Sequence, residues 1–96
     1  MTAKVLIKRR VDREKEKELL PLILELRTLA TLQPGYMSGE TLRNAKRPDE
    51  YLVISTWRSV DSWRAWESSN ERAQIQKRID SLLGEVTEFE IYHYPD

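Results

Sequence analysis

The stretch Glu50-Tyr51-Leu52-Val53-Ile54-Ser55-Thr56-Trp57-Arg58 is the clearest strand in the chain. Side chains of a strand alternate between faces. Tyr51, Val53, Ser55 and Trp57 therefore share one side, and Leu52, Ile54 and Thr56 the other. Both sides are largely apolar. A strand of this kind sits inside a sheet with both faces covered.

Working outward, Ala45-Lys46-Arg47-Pro48-Asp49 is a polar turn, and Tyr36 to Arg43 reads as another strand. Gly39 weakens that strand or marks a bulge. On the other side, Ser59 or Asp61 caps a helix that carries Trp63 and Trp66 three apart on one face. Ser68-Ser69-Asn70 interrupts it, and Asn70 is a cap for a second helical segment. Ala73, Ile75, Ile79, Leu82 and Leu83 give that segment its apolar positions, and Gly84 is its C-cap. Val86 to Tyr94 is the last strand, with Phe89, Ile91 and His93 alternating against Glu88, Glu90, Tyr92 and Tyr94.

Near the start, Lys4 to Val11 alternates as a strand whose apolar face carries Val5, Ile7 and Val11. Arg9 is the exception on that face. Asp12 offers an N-cap, and Glu14 and Glu16 suit the positive end of a helix dipole. Arg13 to about Leu32 repeats apolar residues at helical spacing: Leu19, Leu22, Ile23, Leu26, Leu29 and Ala30. Leu20 and Leu24 widen the stripe. Pro21 lacks an N–H, so a kink or a helix begun in two pieces is expected. Gln33-Pro34-Gly35 ends it.

The order is β-α-β-β-α-β, which is the ferredoxin-like α+β plan: a four-stranded antiparallel sheet with helices on one face. Two helices cover one face only. The apolar residues of the other face predict a homodimer through the sheet, closing a dimeric α/β barrel. At 96 residues one domain is the natural count. Lys plus Arg and Asp plus Glu are 16 each, which argues against a nucleic-acid binder, since that function needs a net positive surface. Without cysteine there are no disulfides, thiolate metal sites or cysteine nucleophiles. No segment approaches a membrane span or a signal peptide, so a cytoplasmic location is expected. No phosphate loop, catalytic triad or nucleotide fingerprint appears.

The run from Tyr51 through Trp57, Trp63 and Trp66 to Ser69-Asn70-Glu71-Arg72 resembles the antibiotic biosynthesis monooxygenase family. The Pro34-Gly35-Tyr36 turn fits as well, and the resemblance covers nearly the whole chain. It implies a dimer with a cavity between helices and sheet. Some members oxidise small aromatics with molecular oxygen and no cofactor. The haem-degrading branch matches at Trp66 but has its iron-ligating histidine where this chain has Gln76. Its pocket asparagine falls near Ile7 or Lys8. Haem degradation is therefore not expected.

Trp66 is the leading candidate for substrate binding, as a stacking wall or as core packing. Trp63 and Trp57 read as structural. Arg9 either holds a substrate anion or pairs with a glutamate at the strand end or across the dimer. Arg72 and Gln76, four apart, line either a pocket mouth or a solvated helix face. His93, the only histidine, reads as a partly buried polar end to its strand face, with no companion for a metal site. No catalytic base stands out. The expected chemistry is that of a cofactor-independent monooxygenase on a quinol-like aromatic. The alternative is a non-catalytic dimeric small-molecule binder or stress-related module.

Overall fold

The computed structural model describes residues 1–95. Strand β1 (Ala3–Arg10) leads into a short 3-10 turn (Arg13–Lys15) and helix α1 (Glu16–Thr31). Strands β2 (Tyr36–Arg43) and β3 (Glu50–Trp57) follow. Then come helices α2 (Val60–Glu67) and α3 (Asn70–Leu83) and strand β4 (Glu88–His93). The sheet runs β2-β3-β1-β4, antiparallel throughout and open at both edges. This is the expected ferredoxin-like order, with β3 and β1 in the middle.

Register sets which residues meet. Val5 faces Ser55, Ile7 faces Val53 and Arg9 faces Tyr51 across β1 and β3. On the other side of β1, Val5 faces Ile91 and Ile7 faces Phe89. These residues form the face the helices cover. Val5, Ile7, Ala30, Trp57, Trp63 and Trp66 make one core cluster, and Val11, Leu19, Ile75 and Ile79 make a second. Trp57 is fully buried, donates from Nε1 to Ser55 Oγ at 3.0 Å, and meets Tyr36 and Trp63 edge-to-face. The strand end thereby anchors the turn into α2.

The helix ends follow their sequence with two adjustments. Ser59 caps α2 by accepting from the Ser62 amide, and Gly84 ends α3 in the left-handed region at φ 74°. Ser69, not Asn70, caps α3: its extended backbone lets its hydroxyl accept from the Arg72 amide at 3.2 Å, while Asn70 is already helical. The first helix does begin in two pieces, but the break falls at the 3-10 turn. Pro21 lies inside α1 on the exposed side. Asp12 occupies the cap position through its backbone carbonyl alone, which accepts from the Lys15 amide at 2.9 Å.

Gly35 has φ 86° and packs so closely on Ser62 that a Cβ there would overlap it. The turn after α1 is therefore held against the start of α2. The irregularity in β2 lies between Tyr36 and Ser38, just before Gly39. The last strand starts at Glu88, two residues after Val86, which is exposed. His93 is also exposed and its Nδ1 lies 3.0 Å from the Tyr94 carbonyl, so it is not the partly buried end expected for that face. It sits opposite Ala3 at the last pair of the β1–β4 ladder, on an edge strand.

Candidate functional site

The helix-covered face of the sheet does not close completely. A cavity of about 60 Å³ lies between sheet and helices. The central strands contribute Ile7, Arg9, Val53, Ser55 and Trp57, and edge strand β2 contributes Tyr36, Gly39 and Thr41. Helix α1 adds Ile23, Leu26, Arg27 and Ala30, and Trp63, Trp66 and Arg72 close the far side. The spacing of the tryptophans places both on the buried side of α2, where they are 1% and 3% exposed.

Three of the four sequence-singled residues converge here. Trp66, Arg9 and Arg72 all line the cavity. Gln76 does not. It is buried beside an open cleft of about 500 Å³ on the other side of Arg72, lined by Glu67, Asp80 and Glu85 among others. Its Nε2 donates to Asp80 Oδ1 at 2.9 Å and to Thr87 Oγ1 at 2.8 Å. Asp80 also accepts from the Thr87 amide and hydroxyl. This knot ties α3 to the approach of β4. A solvated helix face, one option for Arg72 and Gln76, does not occur, since both are buried.

Arg9 is 4% exposed, and no carboxylate lies within salt-bridge distance of it among the described residues. Its Nε and Nη2 are buried without a hydrogen-bond partner. Burial pushes its guanidinium down to about 10, the charge of Arg72 pushes the same way, and Asp80 opposes them. Arg72 is likewise lowered by burial, against the pull of Glu67 and Asp80. Its guanidinium lies 5.2 Å from the Trp63 ring centre and 5.9 Å from that of Phe89, so aromatic faces support its charge. Trp63 Nε1 also lacks a partner. Of four such orphaned atoms among the described residues, three belong to residues lining this cavity.

Buried donors without acceptors are costly, by roughly 1–3 kcal/mol each. Their residues line the cavity, so a ligand that brings acceptors suits it once these donors turn toward the void. The lining holds three arginines and no Asp, Glu or His. It is therefore electropositive, aromatic and without a side-chain base. At the surface, Arg27 Nη2 donates to Thr41 Oγ1 at 2.6 Å, bridging α1 and β2 across the edge of the cavity. Arg27, Thr41, Tyr36 and Ser55 were not singled out from the sequence. Tyr36 was readable as the start of a strand and part of the Pro34-Gly35-Tyr36 turn, Ser55 as a member of an alternating face, and the Arg27–Thr41 contact joins residues on different elements. Among the described residues no group of three metal-ligating side chains forms.

A ferredoxin-like domain with a tryptophan-lined cavity under its helices is the class these features define. The chain matches the antibiotic biosynthesis monooxygenase family over residues 2–78, so it belongs to that family. No curated protein sequence matches it. Among solved structures, a conserved protein of Methanosarcina mazei Go1 superposes with a TM-score of 0.89 at 20% identity, covering 99% of this chain and 94% of that one. SnoaB, a cofactor-independent oxygenase of Streptomyces nogalater solved as a single-residue variant, gives 0.84 at 15% identity, with coverage of 99% and 94%. The Mycobacterium tuberculosis protein Rv0793 gives 0.85 at 14% identity, with coverage of 100% and 97%. At these identities the likeness is one of fold.

Proposed function

We propose that this chain is a cofactor-independent monooxygenase that takes a small aromatic, quinol-like substrate as its anion. The observation that carries the reading is Arg9: a buried guanidinium with two unpartnered donors, lining a cavity walled by Trp66. Family membership supports the oxygenase class. The substrate anion gives one electron to dioxygen, and the resulting radical pair joins through a new carbon–oxygen bond. The ring peroxide then loses water. A quinol and one dioxygen thus yield a hydroxyquinone and one water.

The side chains act on charge and position. Arg9 and Arg72 favour the ionised substrate over its neutral form in a site of low dielectric. Trp66 supplies a flat wall for the ring. No side-chain base lines the cavity, so the proton leaves to water. The void of about 60 Å³ is smaller than the roughly 300–1,000 Å³ of pockets that enclose a drug-sized ligand. A single ring therefore enters by parting α1 from β2 at the Arg27–Thr41 bridge. A homodimer through the uncovered sheet face is part of the same reading, as is a small aromatic ligand as partner. A location in the cytoplasm belongs to the same reading, and among the described residues no helix is long and apolar enough to cross a membrane.

The small void and the missing base favour a second reading, a non-catalytic dimeric binder. Oxygen uptake separates the two. The enzyme reading expects dioxygen consumption by a naphthoquinol to rise in proportion to added protein and to fall at least about tenfold in Arg9→Gln. Uptake no faster than the quinol's own autoxidation would overturn it.

A further inference from the structure

The two orphaned nitrogens of Arg9 are a matched pair. Nε and Nη2 form one edge of the guanidinium, with their N–H bonds side by side at the spacing of two carboxylate oxygens. A phenolate brings a single oxygen to such an edge. A phenol also ionises near pH 10 in water, so at neutral pH it arrives uncharged. A carboxylate arrives charged and satisfies both donors at once. Arg72 lines the same cavity as a second buried cation, and no acidic side chain there competes.

We infer that the ligand of this cavity is an aromatic carboxylic acid whose carboxylate seats on the Nε–Nη2 edge of Arg9, with Arg72 as second cation and the ring against Trp66. This deepens the monooxygenase reading by naming its substrate class, and rests on that reading only for the fate of the ring. Neither Arg9 nitrogen contacts solvent, so the carboxylate reaches them as the guanidinium turns toward the adjoining void. The route in passes the Arg27–Thr41 bridge, since both residues line the cavity and the contact lies at the surface.

Isothermal titration of the full chain with gentisate, its neutral amide gentisamide, and catechol tests this. Gentisate is expected to bind about tenfold tighter than gentisamide or more, because the amide trades a charged acceptor for a neutral one. Arg9→Gln is expected to erase that preference, and Arg72→Gln to weaken gentisate several-fold, each with an unchanged circular dichroism spectrum. If Arg9→Gln does not fold, the wild-type comparison and Arg72→Gln decide. Equal affinity for acid and amide, no binding of gentisate, or gentisate affinity unchanged in the folded variants would overturn the inference. Catechol binding as tightly as gentisate would also do so, by pointing to a vicinal oxygen pair instead. Gentisate binding without oxygen uptake would count against the monooxygenase reading and leave the site standing. Uptake from neutral quinols with no acid preference would do the reverse.

Discussion

Arg9 follows apolar residues on its strand face, and among the described residues no carboxylate lies within salt-bridge distance of it. Val5 and Ile7 precede it on the buried side of β1, and all three are less than 10% exposed. Long apolar side chains fit such a place at lower free energy than an unpaired guanidinium. Arg9→Met is therefore expected to raise the unfolding free energy by about 1–4 kcal/mol while abolishing acid binding. Urea denaturation measures the first effect and titration calorimetry the second. A loss of stability of that size would show that the guanidinium has a partner in solution. Trp66 behaves oppositely, since its removal empties the core. Trp66→Ala is expected to lose about 3–5 kcal/mol, so Trp66→Phe is the variant to use in binding work. The odd charge of Arg9 was visible from alternation alone. Its lack of a partner was not, because that depends on which acids the fold brings near. Gln76 shows the same limit. It lies one helical turn beyond Arg72, but four residues advance about 40° past a full turn. That rotation carries Gln76 toward Thr87 and out of the cavity.

At the scale of elements, a polar network adds to the apolar packing of α1 on the sheet at the start of the helix. Glu16 accepts from Arg43 Nη2 at 2.6 Å and from the Tyr51 hydroxyl, linking the first turn of α1 to β2 and β3. The Tyr51 hydrogen bond, with help from Arg43, holds the Glu16 carboxyl below its ordinary value of 4.5. Glu50 is lowered likewise, chiefly by the Asn44 side chain and then by Arg47. A carboxyl lowered in the folded state stabilises that state once pH exceeds its unfolded value. The contribution is lost as pH falls through the folded one. The stability difference between the wild type and Glu16→Gln is thus expected to be present near pH 7 and to shrink steadily below about pH 4.5. Denaturant titrations across that range check it. A difference that stays constant into acid would assign the effect to packing. Element order and face assignment were legible because period-two alternation and capping residues are local signals. The competition between Ser69 and Asn70 was not, since both are good caps and only backbone geometry separates them. Contacts such as Arg27–Thr41 and Asp80–Thr87 join different elements or a helix to a loop, and no spacing rule reaches them.

The molecule as a whole is flat and carries more surface than a self-sufficient monomer needs. Its extents are 41 × 31 × 19 Å, the thinnest being one helix layer on one sheet. Its accessible surface is 6606 Å². A compact monomer of this mass is expected to show about 5,800 Å². The excess fits the uncovered sheet face, where Leu6, Leu52 and Ile54 are only partly buried and Leu42 and Tyr92 are exposed. Lys4 and Lys8 on β1 and Glu88 and Glu90 on β4 frame that apolar centre, and Lys8 lies directly opposite Glu88. A face with an apolar middle and both signs of charge at its side suits a second copy related by a two-fold axis. The expectation is that the protein sediments at about twice 11.4 kDa at micromolar concentration. Ile54 pairs with Leu6 and Glu40 in the middle of that face. A lysine there keeps strand pairing and stays hydrated beside Glu40 in a monomer, whereas a dimer would take its charge out of water at the apolar centre of the seam. Ile54→Lys is thus expected to sediment as a folded monomer and to melt at a temperature independent of protein concentration, unlike the wild type. A wild type that is monomeric at tens of micromolar, with a concentration-independent melting point, would leave the open face to solvent.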